Sequence, residues 1–496
     1  MTTEQQLPEG WKTQPLQNLL SHVIGGDWGK DENYNDENFI LVNCIRGAEF
    51  RNWKNDKAST AALRKIKISS LQNRQIQEND ILIEISGGGP EQPVGRTALI
   101  TKQVLSNFNN PVVCTNFLRL IRPNEKINST FLNYYLSYFY LSGKIISYQA
   151  GSNNLRNLKF KEYERIKIPI PPLETQQAIV NKIESLFDEI DEGIGRLKTA
   201  AQQIQQYRQS LLKNAFNGEL TKEWRSKHAD TLPSENELLA QIQTAREQHY
   251  TQQLADWQTA VSQWEQNGKE GKKPSKPKAP TQAVKFEENF ADLPSGWGAI
   301  KINQVAEIFT GATPLKSNAN YYENGSIPWV TSGSLNNEFV DSADNFVTDL
   351  ALKETNLKLL PKHTLLVAMY GEGKTRGKCS ELLIEATTNQ AIAGIVLNEK
   401  YPISRKFLKF YMFKNYADIR RQSSGGVQPN LNLSLVGNII FPLPCLAEQT
   451  EIVAILENKL TACDQLAAEL AKQLKQAELL KQAVLKAAFS GNLLDK

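Results

Sequence analysis

Leu211-Leu-Lys-Asn-Ala-Phe-Asn-Gly-Glu-Leu220 returns 273 positions later as Val484-Leu-Lys-Ala-Ala-Phe-Ser-Gly-Asn-Leu493. This pair decides the organisation of the chain, because each copy closes a longer series of matches. At the same spacing, Ile168-Pro-Ile-Pro-Pro-Leu173 answers to Phe441-Pro-Leu-Pro-Cys-Leu446, and Asn157-Leu-Lys-Phe-Lys161 to Asn430-Leu-Asn-Leu-Ser434. Farther upstream, Leu7-Pro-Glu-Gly-Trp11 recurs as Leu293-Pro-Ser-Gly-Trp297, now 286 positions apart, and Gly25 follows Trp11 as Gly311 follows Trp297. The chain is written twice, and the first copy carries 13 more residues in its middle.

Each copy reads as a globular part followed by one long helix. Asp80–Ser86 and Thr364–Tyr370 are apolar runs of strand length ending at glycines, and helix signals follow at Thr130–Ile146 and Ser404–Arg421. The globular parts are therefore expected to be α+β (mixed α/β). Pro171 and Pro172, like Pro442 and Pro444, stop a strand before a helix opens, and Glu174–Phe216 and Ala447–Phe489 then run without proline. Ile190, Leu197, Ile204 and Leu211 fall seven apart, matched by Cys463, Leu470, Ala477 and Val484. Phe187, Ile194 and Ala201, with Leu460, Ala467 and Leu474, complete a 3–4 alternation, which is a coiled-coil seam. At 1.5 Å per residue each helix would be a rod of roughly 65 Å. One chain with two such helices can pair them antiparallel; the plainer alternative is two unrelated amphipathic helices, each packed on its own domain.

The expected divisions are residues 1–173 and 293–446 for the globular parts, 174–220 and 447–496 for the helices, and 221–292 between the repeats. In that last segment Leu238, Ile242, Leu254, Trp257, Val261 and Trp264 outline an amphipathic helix. Lys272-Lys-Pro-Ser-Lys-Pro-Lys-Ala-Pro280 follows and reads as a stiff, basic, solvated tether.

Composition excludes several classes. Five scattered cysteines without a CxxC pair, and four scattered histidines, give no zinc or other metal site and suit reduced thiols in a cytosol. Met1–Gly10 is polar, so no signal peptide is read there. The closest approach to a membrane span, Ile127–Ile146, is broken by Asn133, Ser137 and Lys144 and is expected to be a packed aromatic helix. The net charge of +4 is small, and residues 1–173 hold most of the excess, with 21 Lys+Arg against 16 Asp+Glu. Nucleic-acid binding would have to come from local clusters.

Those clusters lie in glycine-bearing loops. Arginine and lysine can meet guanine O6 and N7 or phosphates, asparagine and glutamine suit adenine, and glycine permits close approach. The candidates are Trp28 and Lys30; Arg46, Arg51 and Lys54; Arg96; Asn153 and Asn154; Lys316, Tyr321 and Tyr322; Tyr370, Lys374, Arg376 and Lys378; and Arg420, Arg421, Gln428 and Asn430. The expectation concerns the set of loops, since any single residue also fits a surface or turn role. One catalytic alternative is present: Ala368-Met-Tyr-Gly-Glu-Gly-Lys-Thr375 nearly fits a phosphate loop that would bind ATP through Lys374. Ala368 replaces its first glycine, and Gly377 interrupts the helix that such a loop needs. A second alternative is a coiled-coil scaffold that binds only protein. Neither an Asn-Pro-Pro-Tyr type tetrapeptide nor a glycine-rich methyl-donor loop is found, so the chain is not expected to methylate DNA.

Two globular units, each closed by a proline-rich strand and a long helix ending Ala-Phe-(Asn/Ser)-Gly, resemble the specificity subunit of type I restriction-modification systems. Leu7–Trp11, Ile168–Gln177, Ala215–Leu220, Thr310–Pro314, Ile327–Val330, Tyr370–Lys378, Thr387-Thr-Asn-Gln390, Asn430–Leu433 and Phe441–Val453 carry the likeness across the whole chain. The segment 221–292 is a departure shared with longer members. The resemblance implies two target recognition domains, each reading half of a split, asymmetric double-stranded DNA site, with the paired helices fixing the gap and docking two methyltransferase subunits. It also implies that restriction subunits join that core in a prokaryotic cytoplasm, in defence against phage. S-adenosylmethionine, ATP and Mg would then be bound by the partner subunits, leaving this chain without a cofactor or a catalytic residue.

Overall fold

The computed structural model describes residues 7–89, 92–151, 155–271, 273–277, 279, 283–287, 293–370, 375–422 and 431–494. The chain is mixed α and β and forms two compact units, residues 1–200 with 469–496 and residues 201–468. Two long helices, Leu173–Phe216 and Leu446–Phe489, each contribute residues to both units.

In the first unit, Lys12–Pro15 pairs antiparallel with Lys167–Ile170, joining the start of the repeat to its proline-rich end. An antiparallel sheet runs in the order Leu20–Gly25, Leu118–Pro123, Ile81–Glu84, Thr97–Leu99. A second sheet has the order Ala62–Lys67, Phe39–Ile45, Val112–Cys114, its last pair parallel. The run Ile81–Glu84 is buried throughout because both its faces are covered. Ile81 and Ile83 enter a core with helix Ser129–Leu141, while Leu82 enters a second core with Ile45 and Cys114, the two-residue alternation of a strand.

The second unit repeats this plan. Gly298–Lys301 pairs with Ile440–Leu443. The main sheet is Ala306–Thr310, Ile392–Leu397, Leu365–Ala368, Cys379–Leu382, extended by Phe339–Val340. The other sheet is Phe346–Val347, Ile327–Val330, Thr387–Thr388, its last pair again parallel. Leu365 and Val367 face one core, Leu366 and Ala368 the other. Much of the extra length of the first copy lies in Ile100–Pro111, which includes the short helix Lys102–Leu105; the second unit passes almost directly from Leu382 to Thr387.

The duplicated helix ends explain their own sequence. In the first unit Phe489 is buried among Phe131, Tyr135 and Tyr138 of helix Ser129–Leu141, with ring centroids 5.1–5.7 Å apart. In the second, Phe216 meets Phe407 and Tyr411 of helix Arg405–Gln422, both at 5.1 Å. Each repeat thus anchors its last aromatic in the other repeat's aromatic helix. The following glycines, Gly218 and Gly491, have φ of +80° and +83°, and a Cβ would come within 2.2 Å of Pro294 and 2.1 Å of Pro8 respectively. A left-handed turn with no room for a side chain demands glycine, and the prolines it meets belong to the Leu-Pro-x-Gly-Trp repeats.

Within each unit the N-terminal part of one long helix accompanies the C-terminal part of the other, so the pairing is antiparallel. Ile183 and Ile190 pack in one core with Val484 and Leu485, and Ile204 and Leu211 in the other with Leu456 and Cys463. Along the seam Leu211, Cys463 and Val484 are buried and Ile190, Leu197, Ile204, Leu470 and Ala477 half-buried. Buried Gln176 and Gln449 hold the helix starts at equivalent places. Each donates to a proline carbonyl, Pro171 or Pro444, and accepts a backbone N–H at the aromatic helix, Asn128 or Ser404.

Between the repeats, Ser234 and Glu237 form a capping box that opens helix Glu235–Gln266, and Leu238 and Ile242 are buried in the second unit's core. The described part of the basic stretch after it is largely exposed, as expected of a solvated tether, but it lies along the helix. Trp257 and Trp264 donate their indole N–H groups to the carbonyls of Pro274 and Gly271, and the Lys276 and Lys273 ammoniums lie 5.7 and 5.8 Å from those rings. Indole rings offer both a donor and a cation-binding face, so the chain folds back along the helix. No helix among the described residues is long and apolar enough to cross a membrane.

Candidate nucleic-acid interface

In both units the loop after the first strand of the main sheet is pressed against the turn that leads from the parallel-paired strand, Val112–Cys114 or Thr387–Thr388, to the next, Leu118–Pro123 or Ile392–Leu397. In the first unit a Cβ on Gly26 would lie 2.1 Å from the Thr115 carbonyl oxygen; in the second a Cβ on Gly311 would lie 1.6 Å from that of Thr388. The counterpart of Gly311 is therefore Gly26, not the Gly25 expected from spacing. A bulge at Ser21, where Leu20 faces Pro123 and His22 faces Arg122, adds the extra residue.

The first cleft, about 570 Å³, is lined by Trp28, Arg46, Arg51, Arg96, Asn116 and Phe117 among others. Asp27 shapes the Trp28 loop by accepting from Gly29 N at 2.9 Å and Ser70 Oγ at 2.6 Å. Arg64 stacks on the Trp28 ring at 4.3 Å. Arg46 donates from Nε (2.9 Å) and Nη2 (2.5 Å) to enclosed Glu49, and from Nη2 to the Thr60 carbonyl. Arg96 donates from Nε (2.9 Å) and Nη2 (2.6 Å) to buried Glu84, and from Nη2 to the Gly47 carbonyl. Hydrogen bonds donated to these carboxylates hold both guanidiniums above their ordinary range. Nη1 of Arg46 takes no part in these bonds, leaving an oriented donor edge suited to a base or phosphate oxygen, whereas the Gln92 amide oxygen faces the Arg96 guanidinium, 3.2 Å from its Nη1. Arg51 is exposed on the lip.

The second cleft, about 1060 Å³, is lined by Thr313, Lys316, Tyr322, Trp329, Asn389 and Gln390 among others. Trp329 Nε1 donates to the Ala312 carbonyl at 3.1 Å, Tyr322 OH to that of Pro314 at 2.5 Å, and Thr313 Oγ1 to Gln390 Oε1. Tyr322 therefore builds the wall, and Tyr321 is engaged with Glu354 at 3.0 Å. Lys316 is exposed.

Several expected residues stand elsewhere. Lys30 lies over the Tyr34 ring and Lys54 is paired with Asp191. Tyr370, Arg376 and Lys378 flank the hairpin between Leu365–Ala368 and Cys379–Leu382 and do not line the cleft; Tyr370 is exposed, and Lys378 donates to Asn336 at 2.8 Å. Asn153, Asn154, Lys374, Gln428 and Asn430, and the side chains of Arg420 and Arg421, lie outside the described residues. The phosphate-loop alternative loses its geometry here, because the chain returns from Ala368 as an antiparallel strand and not as a helix whose N-terminus could hold phosphate. Asn116 and Phe117 were not anticipated. Their signal was available, since Cys114-Thr-Asn-Phe117 aligns with Thr387-Thr-Asn-Gln390 at the spacing of 273.

Known proteins agree with this duplicated architecture. Residues 8–198 and 294–476 each match the family described as "Type I restriction modification DNA specificity domain", and the chain belongs to that family. It is similar to the EcoKI specificity subunit of Escherichia coli (strain K12), 29% identical over 44% of this chain and 45% of that one. The StySPI specificity subunit of Salmonella potsdam is 28% identical over 45% and 46%. The matches span about half the length of these two relatives. The fold is shared with the HsdS subunit from Thermoanaerobacter tengcongensis, with a TM-score of 0.55 and 16% identity over 99% of this chain and 100% of that one. A chain from a structural study of complex assembly and conformational transition in a type I R-M system gives a TM-score of 0.65, also at 16% identity, over 98% and 99%.

Proposed function

We propose that the chain is the non-catalytic DNA-reading subunit of a type I restriction-modification complex. Each globular part binds one half of a bipartite, asymmetric duplex target, and the long helices set the gap and dock two methyltransferase subunits, to which restriction subunits are added. S-adenosylmethionine, ATP and Mg are held by those partners, in the cytoplasm of a prokaryote. The observation that carries this reading is one scaffold built twice with two different linings. Glycine loop and Thr-Asn turn meet in both units, but one cleft presents carboxylate-held arginines and the other an aromatic wall with amides, a lysine and the exposed carboxylates Glu323 and Asp344. Phosphate contacts position a protein on DNA and edge contacts specify sequence, so unlike linings select unlike half-sites.

Methylation sequencing of a host carrying this chain and its methyltransferase tests it. Replacing residues 1–170 by the matching part of a relative should change one half of the methylated motif; a change in both halves refutes modular reading. Inserting seven residues after Ala201 and after Leu474 should lengthen the gap and preserve both halves. A host with no methylated bipartite motif would leave a protein-only scaffold.

A further inference from the structure

Lys54 lies in the short helix Trp53–Asp56, immediately after the arginine loop, and its Nζ donates to Oδ2 of Asp191 on the first long helix. Oδ1 of the same carboxylate accepts from Lys481 of the second long helix, whose ammonium also lies 5.3 Å from the Phe187 ring centroid. One carboxylate thereby ties three segments of the first unit together. Partial burial alone would raise the Asp191 carboxyl, but hydrogen bonds from Lys481 and Lys54 carry it below its ordinary range.

The second unit has the helix–helix half of this arrangement. Shifted by the 273-residue repeat, Asp191 and Lys481 become Asp464 and Arg208, and Arg208 Nη1 does donate to Asp464 Oδ1. An ion pair from the second globular part to a long helix also exists, but it comes from elsewhere: Lys406, on the aromatic helix Arg405–Gln422, binds Glu457 at 2.6 Å. Among the described residues, only the first unit directs this link from the segment carrying its reading arginines.

We propose that Lys54 is a positioning residue for the first cleft, acting through Asp191 to hold the Arg46–Asp56 loop against the helix pair and not by touching DNA. The inference rests on the DNA-reading function above. The loop is held from within by buried Glu49 on Arg46, but its C-terminal half is less enclosed: Phe50 and Trp53 are only partly buried, and the chain leaves it through Lys57 and Ala58, both at positive φ (46° and 58°). The Lys54 side chain is 70% exposed, so the tie is screened and shifts the balance of loop poses by about fivefold at most. That is enough to blur reading without unfolding anything.

The test uses the full chain with its methyltransferase and counts methylation at genomic sites carrying one mismatch. Lys54→Ala and Asp191→Asn should each raise methylation of sites mismatched in the first half by about threefold, with second-half mismatches unchanged. The double variant should be no worse than either single one, and Lys54→Arg should restore fidelity. Asp464→Asn, which breaks only the second unit's helix pair, should leave first-half fidelity unchanged. The inference is overturned if Asp191→Asn is neutral while Lys54→Ala lowers methylation uniformly, the behaviour of a phosphate contact, or if the two effects add. If the unaltered chain directs no bipartite methylation, it is the DNA-reading function itself that fails.

Discussion

The two clefts share a framework and differ in what holds their side chains. In the first, Arg46 and Arg96 are clamped by carboxylates that are themselves enclosed, Glu49 and Glu84. In the second, Trp329, Tyr322 and Gln390 are fixed by neutral hydrogen bonds, and the charged members, Lys316, Glu323 and Asp344, are exposed. A clamped guanidinium loses little freedom on meeting a ligand, whereas an exposed lysine must be ordered at that moment. The difference teaches that one scaffold can offer rigid and adaptable side chains by changing loops while keeping the strands common to both units in the same order.

Four experiments would break or sharpen that contrast. The largest effect is expected from Arg96→Ala, which leaves buried Glu84 without its ion-pair partner and should cost the first unit about 3–5 kcal/mol. Trp329→Phe removes one neutral hydrogen bond and should cost the second about 1 kcal/mol. Equal losses in urea denaturation would erase the distinction between ionic and neutral construction. Next, Gly26→Ala forces a Cβ onto the Thr115 carbonyl and should destabilise by about 1–3 kcal/mol. Gly25→Ala, with nothing within 4 Å of its Cβ, should change stability by less than about 0.5 kcal/mol. A reversed order would disprove the bulge-shifted register.

The third concerns acid. Burial alone would raise the Glu381 carboxyl, but Lys409 at 3.0 Å, His363 and Arg405 carry it below its ordinary value of 4.5. A carboxylate lowered in the folded state stabilises fully above its unfolded value and loses that contribution as pH falls through the folded one. Protection of the second unit in hydrogen exchange should therefore decline below about pH 4.5, and Glu381→Gln should flatten the decline; an unchanged slope would assign the acid response elsewhere. Smallest in stability is Lys316→Ala, within about 0.5 kcal/mol. It should weaken DNA binding by the assembled complex and reduce its salt dependence, and an unaltered salt slope would remove Lys316 from the interface.

Much of the fold was legible because it rests on local pattern and on duplication. The heptads of both long helices, the two buried strand runs and the glycine stops are short-range signals, and finding each twice removes most of the chance that any is accidental. The clefts were legible in part. Trp28, Arg46, Arg51, Arg96 and Lys316 were named from glycine-rich loops and do line them, whereas Lys54 was named from the same composition and is bound to a helix. Composition places a cation in a loop; it carries no information on whether a carboxylate distant in sequence waits beside it.

The amino-acid sequence alone determined the duplication, the mixed α and β character, the pair of proline-free helices and the absence of a metal-binding motif, since each follows from spacing along one dimension. Only the tertiary structure decided which partner each repeated element takes. Phe216 is anchored by Phe407 and Phe489 by Phe131, a reciprocal exchange between repeats, while Gly26 displaces Gly25 through a single bulged residue. The physical reason is common to both. Burial of an aromatic ring and register along a strand are settled by contacts between residues a hundred or more positions apart, and no local periodicity encodes which of two equivalent partners will be met.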